Sequence, residues 1–182
     1  AIASIPVSAL RIGINYMDRD HVITALKEAR STVSKPVIGK VLRTPVFSMA
    51  APIRDANGHV MGALVGVTDL SKPNFLDVLT EGRYGKSGGY LLLATEHQLI
   101  VTATDKRRIM QPMAPNGVNP QIDRFIAGYE GYAVHINTQG DEALSSSKHI
   151  AAAQWRLVAT LPTQEAFAPI HARQQRMLVA TI

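Results

Sequence analysis

Two apolar runs dominate the pattern of the chain between Pro45 and Leu70, in the segment PVFSMAAPIRDANGHVMGALVGVTDL. A polar turn at Asp55-Ala56-Asn57-Gly58 separates them, and the second run closes on Asp69. Asn-Gly between apolar strands predicts a two-residue hairpin with a type I′ turn, which requires φ > 0 at both central residues. Strands joined this tightly belong to an antiparallel sheet, which disfavours a Rossmann-type or barrel α/β fold.

The remaining pattern divides into two unequal units. The first opens with an apolar edge, Ile2 to Val7, and an irregular stretch through Asn15. A helix is predicted from about His21 to Arg30, with Asp18 or Asp20 as its N-cap and Val22, Leu26 and Ala29 on one face. Ser34-Lys35-Pro36 ends that region and leads into a strand, Val37 to Leu42, before the hairpin. A brief helix, Phe75 to Glu81, follows and is stopped by Gly82. The second unit has predicted strands at Tyr90–Ala94 and Leu99–Ala103, then a helix from Asn119-Pro120 through Ile126. Strands at Tyr132–Ile136, Ala143–Ala153 and Trp155–Leu161 come next, and Pro162-Thr163 introduces a terminal helix. Strand, strand, helix, strand, strand, strand describes a five-stranded antiparallel sheet with helical crossovers. The first unit shows the latter part of the same plan without the opening hairpin.

Composition narrows the function classes. The 182 residues are 46% apolar and 18% charged, which is globular and not disordered. The net charge of +5 is scattered, and its one run, Lys106-Arg107-Arg108, reads as a solvated surface turn. With 5% aromatics there is no stacking platform for nucleic acid. The absence of cysteine removes thiol catalysis, zinc-thiolate sites and disulfides. Six dispersed histidines offer no metal pair at helical spacing, so neither a metal nor a cofactor is expected. No apolar run reaches membrane-spanning length and no signal peptide is visible. The first residue is not Met, and Met177 to Ile182 follows a basic helical stretch, His171 to Arg176. This end reads either as the first turns of a membrane helix or as an amphipathic C-terminal helix.

Enzyme signals are weak. Tyr84-Gly85-Lys86-Ser87 resembles a phosphate-binding loop, but Thr80 stands where its first Gly belongs and a strand follows, so turn chemistry is expected. Ser145-Ser146-Ser147 lacks a nucleophile elbow and reads as an exposed strand or turn. Glu28 and Asp20 read as solvated carboxylates, Asp105 as a cap or surface ion-pair partner, and Trp155 as core.

Eight segments carry a family resemblance: RIGINYMDRDHV (11–22), VSKPVIG (33–39), the hairpin at 45–70, KPNFLDVL (72–79), YGKSGGYLLLA (84–94), TATDKRRIMQP (102–112), GVNPQIDRFIAGYEG (117–131) and LPTQEAFAPI (161–170). In this order the chain resembles the double Cache domain, a tandem of PAS-like sensor units outside the membrane in bacterial receptors. The resemblance is to the version carried by diguanylate cyclases and phosphodiesterases with GGDEF or EAL modules. It implies an α+β fold of two Cache units with antiparallel sheets flanked by helices. The membrane-distal unit (1–71) would be truncated at its N-terminus. A membrane-proximal unit would occupy 72–170, and 171–182 would begin a helix leading to a transmembrane segment.

The resemblance also implies a role and a site. The chain would be the non-catalytic, periplasmic sensing domain of an inner-membrane receptor, tethered through flanking helices, homodimeric, and coupled to cyclic-di-GMP turnover. Its partner would be a small organic ligand, a carboxylate or amino acid, held in the distal unit. Arg19 matches the family's carboxylate-clamping position and Asp69 its ammonium-binding position, and both chemistries suit the residue types. Tyr16, Ser34 and Arg11 are further candidate ligand contacts. His21 stands where the amino-acid-binding subgroup has an aromatic, and Val37-Ile38-Gly39 lacks its Tyr and acid. A carboxylate ligand without an ammonium therefore stays open. So do an Arg19–Asp69 ion pair, Arg19 at a helix terminus, and a ligand-free structural or dimerisation module.

Overall fold

A computed structural model describes residues 1–5, 10–82, 85–137 and 140–170. The C-terminal run at 177–182 and part of the predicted edge at 2–7 lie outside the described residues. The chain forms two compact units, 1–74 and 75–182.

In the first unit a helix, α1 (Asp20–Lys27), buries His21, Val22 and Ala25 and packs on two long strands, β3 (Pro45–Arg54) and β4 (Val60–Asp69). Neither Asp18 nor Asp20 caps it: Arg19 occupies the N-cap position without a side-chain cap. The helix stops short of the predicted Arg30 because Ala29 adopts φ 52°. Arg54 holds that reversal, donating from Nη2 to the Ala29 carbonyl at 2.7 Å and from Nη1 to the Gly58 carbonyl at 2.8 Å.

A two-residue strand not expected from the pattern, β1 (Thr32–Val33), and a shortened β2 (Val37–Ile38) both pair with β3. The predicted strand at 37–42 ends at Ile38, where Gly39 and Thr44 close a turn with Arg43 at φ 57°. Because β4 pairs along nearly all of β3, β1 and β2 follow one another along its opposite edge. All pairings are antiparallel. The hairpin is present, but its turn is not type I′. Gly58 (φ 87°) has positive φ and Asn57 does not. The Asp55 carboxylate accepts from the Asn57 amide at 2.9 Å and the His59 amide at 2.8 Å, and a bulge at Ile53/Arg54 absorbs the longer loop. An aspartate that binds its own turn outcompetes the two-residue geometry.

The second unit begins with a single helical turn, α2 (Asp77–Thr80), shorter than the predicted Phe75–Glu81. Its sheet has the order β6-β5-β9-β8-β7, all antiparallel. The strands are β5 (Gly89–Ala94), β6 (Leu99–Ala103), β7 (Gly131–Ile136), β8 (Glu142–Ile150) and β9 (Trp155–Pro162). α3 (Pro120–Ile126) starts as its sequence predicts, with Asn119 Oδ1 accepting from Gln121 and Ile122 and proline in the first turn. The core gathers Leu93, Ile100, Ala103 and Val158, with Leu91 and Met113 packed against it; Phe125 and Trp155 are buried. β8 stops at Ile150, before the predicted Ala153, where 151–154 turns through Gln154 at φ 55°.

Three polar features depart from the expected surface roles. Ser145 and Ser147 are buried, not exposed; Ser145 Oγ lies 2.8 Å from both His135 Nε2 and Thr160 Oγ1. Lys106 is tied down, its ammonium donating to Asp77 Oδ1, Thr80 Oγ1 (2.9 Å) and Thr102 Oγ1 (3.1 Å). The Lys86 and Ser87 amides donate to the carboxylate of Glu165, in the helical stretch 163–170, and the Ser87 hydroxyl joins them. The amides that resembled a phosphate cradle thus hold the protein's own carboxylate. Asp105 caps the 106–108 turn and pairs with Arg107, as expected.

Candidate functional site

Three of the five sequence-predicted residues, Tyr16, Arg19 and Asp69, lie around the start of α1 and at the end of β4 in the first sheet. A turn joins two of them, the Arg19 amide donating to the Tyr16 carbonyl at 3.0 Å. Being the last residue before the helix, Arg19 has an extended backbone (φ −102°, ψ 120°). The residue is half-buried overall, and its guanidinium reaches β2, where Nη2 donates to the Ile38 carbonyl at 3.3 Å. Val37, Val46 and Asp69 form one register row across β2, β3 and β4 and so share a face, with Asp69 on the far side of β3. Two strand spacings, roughly 10 Å, separate β2 from β4. Arg19 and Asp69 form no ion pair, so that alternative does not hold.

Asp69 ends β4 half-buried. Burial works against its charge. The Ser71 hydroxyl (2.6 Å) and amide (3.0 Å), the Thr44 hydroxyl and the Lys72 charge outweigh that, so the carboxyl titrates below its usual value. Thr44 Oγ1 influences this carboxylate yet falls short of hydrogen-bond geometry with any partner, although the atom is buried. A buried hydroxyl without a partner is uncommon in folded proteins.

Lys40 is a neighbour the sequence reading missed. Its ammonium lies 5.5 Å from the Tyr16 ring centroid, donates to the Asn15 carbonyl at 2.9 Å and pairs with Asp18 at 2.6 Å. Hydrogen bonding to Lys40 lowers the Asp18 pKa. The turn that ends β2 early is what brings Lys40 back, a reversal hidden because apolar pairs, Val37-Ile38 and Val41-Leu42, flank Gly39-Lys40 and read together as one strand. His21 is buried beside Arg19; desolvation, then the Arg19 charge, push its pKa below the ordinary imidazole value, with Asp20 opposing.

The other two candidates are placed differently. Ser34 is buried in a backbone junction: its hydroxyl donates to the Lys35 carbonyl at 2.8 Å and accepts from the Ser48 amide at 2.9 Å. Arg11 sits half-buried in the turn at 10–13, with no hydrogen bond to the other four. The structure therefore gathers Tyr16 and Arg19 beside Lys40, sets Asp69 and Thr44 across β3, and leaves Ser34 and Arg11 apart. No group of three metal-ligating side chains occurs among the described residues.

No curated protein matches the sequence. Among solved structures, the periplasmic sensory domain of the Campylobacter jejuni chemoreceptor Tlp1 aligns over 81% of this chain and 56% of its own, with 18% identity and a TM-score of 0.61. The extracellular domain of the histidine kinase mmHK1S-Z3 aligns over 88% and 60%, with 14% identity and a TM-score of 0.71. The ligand-binding domain of the Pseudomonas aeruginosa PAO1 amino acid chemoreceptor PctB, in complex with L-Arg, aligns over 90% and 67%, with 18% identity and a TM-score of 0.66. The chain thus spans between about half and two-thirds of the length of these structures, and the likeness establishes the fold. The sequence profile of the Cache domain family matches residues 3–170, across both units. The chain belongs to the Cache domain family, in its double form.

Proposed function

We propose that this chain is the small-molecule-sensing, extracytoplasmic domain of a bacterial membrane receptor. The family match over 3–170 carries the reading, because it takes in both units. Structural neighbours that are sensory or ligand-binding domains of chemoreceptors support it, several of them solved with an amino acid bound. The ligand proposed is a small carboxylate, an amino acid included, bound in the first unit. Arg19, with a single long hydrogen bond recorded for its fork, receives the carboxylate, and Tyr16 borders it. Asp69, held ionised by Ser71, and the unpartnered Thr44 hydroxyl serve the far end. Arg11 and Ser34 are secondary; the hydroxyl of Ser34 is engaged by backbone.

The domain acts by equilibrium and not by catalysis. Ligand favours one of two conformations by its differential affinity, and the bias passes through the second unit toward the membrane. Cyclic-di-GMP turnover is the output favoured by the segmental resemblance, with the full receptor a membrane-tethered homodimer.

A thermal-shift screen of amino acids and small carboxylic acids tests the site. A ligand at a hundredfold excess over Kd stabilises by about 2.7 kcal/mol, a rise of roughly 10–20 °C for a unit this small. Arg19→Ala abolishes the shift. A carboxylate whose shift survives that substitution overturns the site, and a screen without any hit favours a ligand-free structural module.

A further inference from the structure

The most deeply buried guanidinium of the described residues lies in the second unit. Arg156, on the central strand β9, is 5% exposed, and both of its recorded hydrogen bonds leave from Nη1. One goes to Ser147 Oγ at 3.0 Å and the other to the Tyr129 carbonyl at 3.3 Å. Both acceptors are neutral, and no ion pair among the described residues includes Arg156. Glu130 is close enough for the two charges to act on each other, but no carboxylate accepts a hydrogen bond from the fork, and a buried cation is normally paired in that way.

Arg156 lines a groove of about 360 Å³, bordered by Thr95, Glu96, Gly128, Glu130 and His149. That volume suits a small metabolite. The rim is acidic, and its two carboxylates are not equivalent. Glu130 is engaged, accepting from Lys148 Nζ at 2.6 Å and from the His149 amide at 2.8 Å; these contacts first, then the Lys148 and Arg156 charges, depress its pKa against the opposing effect of burial. Glu96 is exposed and makes no ion pair among the described residues. A bare anion would meet Arg156 but be opposed by both acids. A molecule with an anionic and a cationic end meets both demands.

We propose that this groove is a second ligand site, binding a small zwitterion whose carboxylate lies on the free side of the Arg156 fork and whose ammonium faces Glu96. It is independent of the first-unit site, sharing no residue with it. The smallest probe with both charges is glycine; acetate and methylammonium are its two halves.

Titration of the 182-residue chain, followed by backbone amide NMR, resolves the two units. Glycine shifts the amides of Gly128, Glu130, His149 and Arg156, and acetate and methylammonium bind at least about tenfold more weakly, each having lost one charge-assisted contact. Arg156→Lys removes the fork while keeping the charge and abolishes these shifts. Glu96→Gln, on the surface, weakens glycine about tenfold and decides the matter if Arg156→Lys does not fold. Arg19→Ala leaves these shifts unchanged, which separates failure of this site from failure of the first. Groove amides that ignore glycine overturn the proposal, as do acetate binding as tightly as glycine, shifts that persist in a folded Arg156→Lys, and a glycine affinity unchanged by Glu96→Gln.

Discussion

Replacing Lys106 with alanine withdraws an ammonium that Asp77, Thr80 and Thr102 share. The Asp77 side chain is 11% exposed and that of Lys106 43%, so the pair is buried on its acidic side only. Removing one partner of a fully buried pair costs about 3–5 kcal/mol; water reaching the lysine side reduces this to about 2 kcal/mol. Spread over a unit of roughly a hundred residues, that lowers its melting temperature by about 8 °C or more. The assay is urea denaturation of Lys106→Ala, Asp77→Asn and the double variant, monitored at Trp155. The expected result is a fall in midpoint at constant slope, with a coupling energy of at least about 1 kcal/mol between the sites. A loss within about 0.5 kcal/mol, the range of ordinary surface substitutions, would show that the basic run is only a solvated turn and refute the reasoning.

Acid sensitivity centred on His21 is a second expectation. Its folded pKa lies below its unfolded value of 6.5, so the unfolded chain takes up the proton first. Its stabilising contribution is complete above pH 6.5, and it is lost as pH falls from there through the folded pKa. Urea midpoints on either side of 6.5 measure the loss, and His21→Gln flattens it. The same imidazole reports on the proposed ligand, because a carboxylate seated on Arg19 offsets the repulsion and raises the His21 pKa in an NMR titration. In the hairpin turn, Asn57→Ala is neutral within about 0.5 kcal/mol, whereas Asp55→Ala costs about 1 kcal/mol through its two amide contacts. The reverse order would restore the type I′ geometry.

The fold was legible wherever a long alternating or apolar run met a strong turn signal. β3 and β4, the strands β5 to β9 and the Asn119-Pro120 helix start all follow from local chemistry. Errors came where a single residue reversed the chain, at Ala29, Arg43 and Gln154. None of these is glycine, and long-range contacts such as Arg54 to the Ala29 carbonyl hold the reversal. Of the proposed site, Arg19 and Asp69 could be read as residue types standing at element ends. Lys40 and Thr44 depended on the turn between β2 and β3. Arg156 was hidden because a charged residue second in a strand reads as solvent-facing. Only the central position of β9, with neighbours on both edges, buries it.

The Glu165 carboxylate joins segments about eighty residues apart. In mechanical terms it closes the second unit into a ring near its entry and exit. A push along the helix at 163–170 reaches residues 85–87 through one side chain, without crossing the five strands between. Load applied at those two points falls on three hydrogen bonds, from the Lys86 and Ser87 amides and the Ser87 hydroxyl. Because all three converge on one carboxylate, loss of that single side chain would open the ring at both points at once.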